Sequence, residues 1–134
     1  MKTTKPMSLT LRVLARLLSY PDDALREHLD ELRQALRSEA ALQPARAAEV
    51  EALIVDIGAQ SAIDAEADYV QLFDSGRRTS LHLFEHVHGD SRDRGPAMID
   101  LAQTFEAAGL YLAEGEMPDH QPVVLEYAST QPPR

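Results

Sequence analysis

The sequence predicts an all-α fold, a helical bundle of about six or seven helices in one domain over residues 1–134. Three observations carry that expectation. Apolar residues recur three and four positions apart along most of the chain. No run alternates apolar and polar residues with the two-residue period of a half-buried strand. Pro, Gly and short capping residues punctuate the chain at helix-length intervals. With 44% hydrophobic and 26% charged residues the composition is that of a globular protein, and a chain of this size buries roughly two-thirds of its unfolded surface. Aromatic residues make up only 5% and Trp is absent, so aliphatic side chains must build the core.

The elements follow in order. Leu11, Leu14, Leu17 and Leu18 give a first helix, stopped at Tyr20-Pro21 because Pro disfavours helix in the preceding residue. Asp22 is placed to cap a second, whose stripe of Leu25, Leu29, Leu32 and Leu36 is the cleanest in the chain. Gln43-Pro44 restarts a helix with Val50, Leu53, Ile54 and Ile57 on its face, and Gly58 weakens its end. Ser61 and Asp64 open a helix carrying Tyr69, Leu72 and Phe73, with Leu72 expected in the core and a turn at Asp74-Ser75-Gly76. A short helix over 81–87 is expected to be capped by Thr79 or Ser80 and ended by Gly89. A longer one should cover 94–108, with Met98, Leu101, Phe105 and Ala108 inward, Gly109 at its C′ position and Leu110 as the accompanying apolar contact. Asp119 is then expected to cap a last helix through Leu125 and Tyr127, before Pro132-Pro133.

Composition excludes several function classes. There is no Cys, hence no disulfide, thiolate nucleophile, Cys-ligated zinc or Cys-ligated iron–sulfur cluster. The net charge of −9 repels nucleic acid and anionic lipid and attracts basic peptides. Lys2, Lys5, Arg12 and Arg16 precede the first acidic residue, as in a targeting peptide, but the two arginines interrupt the apolar run and mark a first helix instead. No stretch approaches the roughly 20 apolar residues of a membrane span.

Three segments carry possible chemistry. His82-Leu83-Phe84-Glu85-His86 matches H-x-x-E-H, the zinc signature of one metallopeptidase group. On one helix, His82 and His86 would share a face, with Glu85 as a general base. No third ligand is marked among Glu114, Glu116 and Glu126, and the simpler reading is an amphipathic helix with two partly exposed histidines. Tyr69 and Phe73 are four apart and share a face. Met117-Pro118-Asp119-His120 puts an Asp–His pair where a loop enters a helix, which serves either as an N-cap or as equipment for gripping a basic or polar peptide. No nucleophile elbow, dinucleotide fingerprint or phosphate loop is present. The rival readings are a peptide-binding chaperone, a generic helical adaptor and a zinc hydrolase acting through His82, Glu85 and His86.

These segments resemble the NarJ family of nitrate reductase assembly chaperones, within the TorD-like class of redox enzyme maturation proteins. The resemblance rests on the acidic residue and Y-x-x-L-F run at Asp68 and 69–73, the P-D-H element at 118–120, and the run from Leu83 to Gly95, and it spans about Leu9 to Tyr127. Asp68 departs from the Glu that the class prefers before the Tyr. The resemblance implies a cytoplasmic TorD-like chaperone that is not an enzyme and holds no metal or cofactor of its own. Its partner would be the molybdenum-bearing catalytic subunit of a respiratory nitrate reductase, held by its N-terminal leader segment during cofactor insertion, before membrane anchoring. Asp119 and His120 carry over from the motif as leader-binding residues. Tyr69, Phe73, Phe84, Glu85 and His86 join them from face and spacing. Family members continue for several more helices beyond the point where this chain stops, so it resembles an N-terminal portion, and the bare apolar surface this implies favours a homodimer.

Overall fold

The computed structural model describes residues 6–74, 80–88 and 92–131. Among them are eight α-helices and no strand: α1 (Ser8–Leu17), α2 (Asp23–Glu27), α3 (Leu29–Glu39), α4 (Pro44–Ala59), α5 (Ala62–Tyr69), α6 (Leu83–Val87), α7 (Arg94–Ala107) and α8 (Gln121–Ser129). A π-helical turn, Val70–Asp74, continues α5. The fold is all-α, as the periodicity predicts.

The core follows the expected stripe through α2 and α3, but in α1 the buried face is Thr10, Val13, Ala15 and Leu17 rather than Leu11, Leu14 and Leu18, and Leu53 of α4 is exposed. Val13 and Leu17 of α1, Leu25 of α2, Leu29 and Leu36 of α3, and Ile54 of α4 form one buried cluster. Each such aliphatic side chain contributes about 1.5–3 kcal/mol by leaving water. α1 packs against both α3 and α8, which brings the two ends of the described chain together. Gly58 does more than weaken the end of α4, because a Cβ there would meet Leu29 Cδ1 at 3.3 Å. Its small size lets α4 approach α3.

Two boundary expectations are corrected. The predicted second helix is two, because the backbone leaves helical geometry at His28 (φ −109°, ψ 14°). The leucine stripe nevertheless continues across the break, with Leu25 and Leu29 both in the core. Asp119 does not cap α8, which starts without a side-chain cap. Other ends agree: Asp22 accepts from Leu25 N and Ser61 from Asp64 N. Gly109, at φ +84°, closes α7 in a Schellman motif, with Gly109 N bonded to Glu106 O and Leu110 N to Phe105 O. The expected turn after Asp74, Thr79 as a cap and the Gly89 stop fall on residues outside those described. Ser80, the other expected cap, accepts from His82 N, which precedes α6, rather than from the helix itself.

Candidate leader-binding site

The site begins at the end of α5. Tyr69 donates its hydroxyl to Leu18 O at 2.8 Å, the carbonyl that follows the last turn of α1. Its ring meets Tyr20 edge-on at 5.6 Å and Phe73 at 5.0 Å. Phe73 lies within the π-helical turn and stays beside Tyr69. Burial and the nearby Asp74 push the Tyr69 phenol pKa up, so it remains a hydrogen-bond donor at neutral pH.

Tyr69 stands between two clefts. On one side is an apolar groove of about 540 Å³, walled by Leu17, Leu53, Ile57, Leu72 and Phe73, with Asp56 and Asp68 among its lining residues. Leu72 is 52% exposed and lines this groove, so its expected place in the core is corrected. On the other side is a cleft of about 400 Å³ lined by Tyr20, His82, Glu116, His120 and Glu126. Tyr69 and Ser19 line both.

Asp119 supports the second cleft through the neighbouring His82 and His120. It is fully buried, and its Oδ2 accepts from Phe84 N at 3.0 Å while its own carbonyl accepts from Leu83 N. It therefore caps α6, 35 residues upstream, rather than the helix it precedes. Oδ1 lies 3.4 Å from His82 Nδ1. A single antiparallel bridge joins His82 to His120 and sets their rings 4.9 Å apart. Burial, and secondarily His82, push the His120 pKa down against the opposing pull of Asp119 and other carboxylates. The lowered pKa favours the neutral imidazole.

The structure therefore brings Tyr69, Phe73 and His120 to the two clefts, with Asp119 as their support. It does not bring Phe84, Glu85 or His86 to the lining of either one. Phe84 packs edge-on against His88 at 4.9 Å, Glu85 pairs with Arg94 at 2.8 Å, and His86 Nε2 meets Ser80 O at 2.9 Å. The shared face assumed for the two histidines of H-x-x-E-H fails for a backbone reason. His82 is extended (ψ 108°) and precedes the first turn of α6, so it and His86 are not one helical turn apart. Among the described residues no three His, Asp or Glu side chains gather around a common metal position.

A family model described as nitrate reductase delta subunit matches residues 19–132. The chain belongs to that family. Within it, 122 residues are 46% identical to the nitrate reductase molybdenum cofactor assembly chaperone NarJ of Escherichia coli K12, covering 91% of this chain and 52% of that protein. A Bacillus subtilis protein given the same NarJ name, as a probable one, is 32% identical over 129 residues, 94% of this chain and 67% of its own length. The chain thus spans about half the length of the E. coli relative. Its fold is similar to the crystal structure of an Archaeoglobus fulgidus protein described as a redox enzyme maturation protein, with a TM-score of 0.66 and 20% identity, covering 96% of this chain and 74% of that one.

Tyr20, Glu116 and Glu126 line the second cleft without having been expected there from the sequence. Tyr20 had a signal, an aromatic just before Pro21 at the end of the leucine-rich first helix. Glu116 had one too, two residues before the P-D-H element. Glu126 had none, because its place in the cleft depends on how α8 packs on α1.

Proposed function

We propose that this chain is the peptide-binding part of a cytoplasmic assembly chaperone for a molybdenum-dependent nitrate reductase. It takes the N-terminal leader segment of the catalytic subunit and holds that subunit for cofactor insertion before membrane anchoring, with no catalytic turnover of its own. The role extends to this chain what the name of the E. coli relative says of that protein. The observation that carries it is the apolar groove walled by Tyr69, Leu72 and Phe73 beside a cleft containing carboxylates. An amphipathic helix docks in such a groove through apolar anchors, with acidic groups meeting its basic residues. No helix among the described residues is long and apolar enough to cross a membrane.

Titration calorimetry with a synthetic leader peptide of the cognate catalytic subunit tests this. Leu72→Asp should weaken binding about tenfold or more while leaving the circular dichroism spectrum unchanged, because the side chain is half exposed and faces the peptide. Equal affinity for a scrambled peptide would sink the reading. A second copy of the chain is the competing occupant, since Leu53, Ile63 and Leu72 are all exposed; sedimentation at the titration concentrations detects the homodimer.

A further inference from the structure

Resting on the leader-binding reading, we propose that the cleft between Tyr20, Tyr69, Glu116 and Glu126 is a receptor for a basic side chain at the amino-terminal end of the docked leader. The leader then lies in one direction, its amino-terminal end over this cleft and its apolar stretch in the groove beyond Tyr69.

The two clefts differ in chemistry and share a wall. The groove is lined mainly by aliphatic and aromatic side chains. The second cleft has Glu116 and Glu126 among its lining residues together with Tyr20 and Tyr69, and none of its described lining residues is Lys or Arg. Glu116 is held in place, accepting from Ala113 N at 3.0 Å. Further negative charge lies near Tyr20, whose pKa is pushed up by desolvation and then by the Glu66 carboxylate. Burial and His82 lower the His120 pKa, which favours its uncharged form. Carboxylates and aromatic rings lining one cleft suit an ammonium or guanidinium group, which gains ion pairing and a cation–π contact together.

Direction follows from two general facts. Export-type leaders place their basic residues before their apolar stretch. A bound helix also carries partial positive charge at its amino terminus. Both put the amino-terminal end over the carboxylates. Because Tyr69 and Ser19 line both clefts, one segment passes from the basic end to the apolar stretch without leaving the surface.

The test is a coupling experiment by titration calorimetry with three peptides: the native leader, one with the Lys and Arg before its apolar stretch changed to Gln, and one with those residues moved behind that stretch. Each is titrated into the unaltered protein and into the Glu116→Gln/Glu126→Gln variant, in which the side-chain amide oxygen at position 116 still accepts from Ala113 N. The unaltered protein should bind the native peptide about 3- to 10-fold more tightly than either altered one, a range expected of partly exposed charge pairs. The double variant should bind all three alike. Native binding with no coupling between peptide charge and the two glutamates overturns the receptor and leaves the leader-binding reading intact. Tight binding of the rearranged peptide overturns the direction. Failure of the native peptide to bind the folded protein removes both readings.

Discussion

Replacing Asp119 separates support from contact. Asp119→Ala removes the acceptor of Phe84 N–H, a 3.0 Å hydrogen bond at the first turn of α6, from a site with no solvent exposure. Loss of a helix cap costs about 0.5–2 kcal/mol, and an amide left without its acceptor costs about 1–3 kcal/mol. These figures describe the same bond from two sides, so they overlap, and the expected loss is about 2–3 kcal/mol. With a urea m-value of about 2 kcal/mol/M, the midpoint should fall by about 1–1.5 M. Asp119→Asn keeps an oxygen for Phe84 N and turns a donor toward His82, so its loss should be less than half as large. Leader affinity should change by less than about threefold in the Asn variant, since a buried side chain holds the cleft without touching the peptide. Peptide binding abolished by Asp119→Asn with an unchanged urea midpoint would refute this, and would make Asp119 a direct contact.

Three further perturbations test the surrounding contacts. Glu39→Ala should destabilise the protein by about 1 kcal/mol, because both Glu39 oxygens cap α1 by accepting from Leu9 N and Thr10 N; amide exchange should accelerate at those two residues. Tyr69→Phe loses the bond to Leu18 O and about 1 kcal/mol of stability by urea titration, while its ring still walls both clefts and leader affinity should stay within about threefold. His120, whose pKa is lowered on folding by burial and by His82, takes up its proton at higher pH in the unfolded chain. Stability should therefore rise with pH through the window below about 6.5 and be lost as pH falls from there through the folded pKa. Urea midpoints between about pH 8 and 5 should show a shallower slope for His120→Gln.

Much of this was legible in the sequence because it depends on neighbours within a turn. The leucine stripe of α2 and α3, the Ser61 cap and the Gly109 stop are all local patterns, and each is where its pattern places it. The pairing of Tyr69 with Phe73 was legible for the same reason. The role of Leu72 was not, because periodicity identifies an apolar face and says nothing about whether another element covers it. The H-x-x-E-H segment misled in the opposite way. Its spacing has meaning only inside a helix, and α6 begins one residue after its first histidine.

What local rules could not reach is how several helix ends are satisfied. Glu39 caps the start of α1 from 30 residues away, and Asp119 caps the start of α6 from 35. Arg26 donates to Ile57 O and Gln60 O at the end of α4, and Tyr69 to Leu18 O at the end of α1. The signs are those a helix dipole selects, carboxylates at amino ends and the guanidinium at a carboxyl end. Any Asp, Glu or Arg can play such a part, so nothing in a single sequence marks which one does. Two of these four contacts also build the proposed site: Tyr69 is the wall between the clefts, and Asp119 fixes the strand-like bridge that carries His82 and His120. The walls a leader would meet are therefore held by the same bonds that close the helices. A site held in this way is set before a ligand arrives, and less of the binding energy is lost in ordering it.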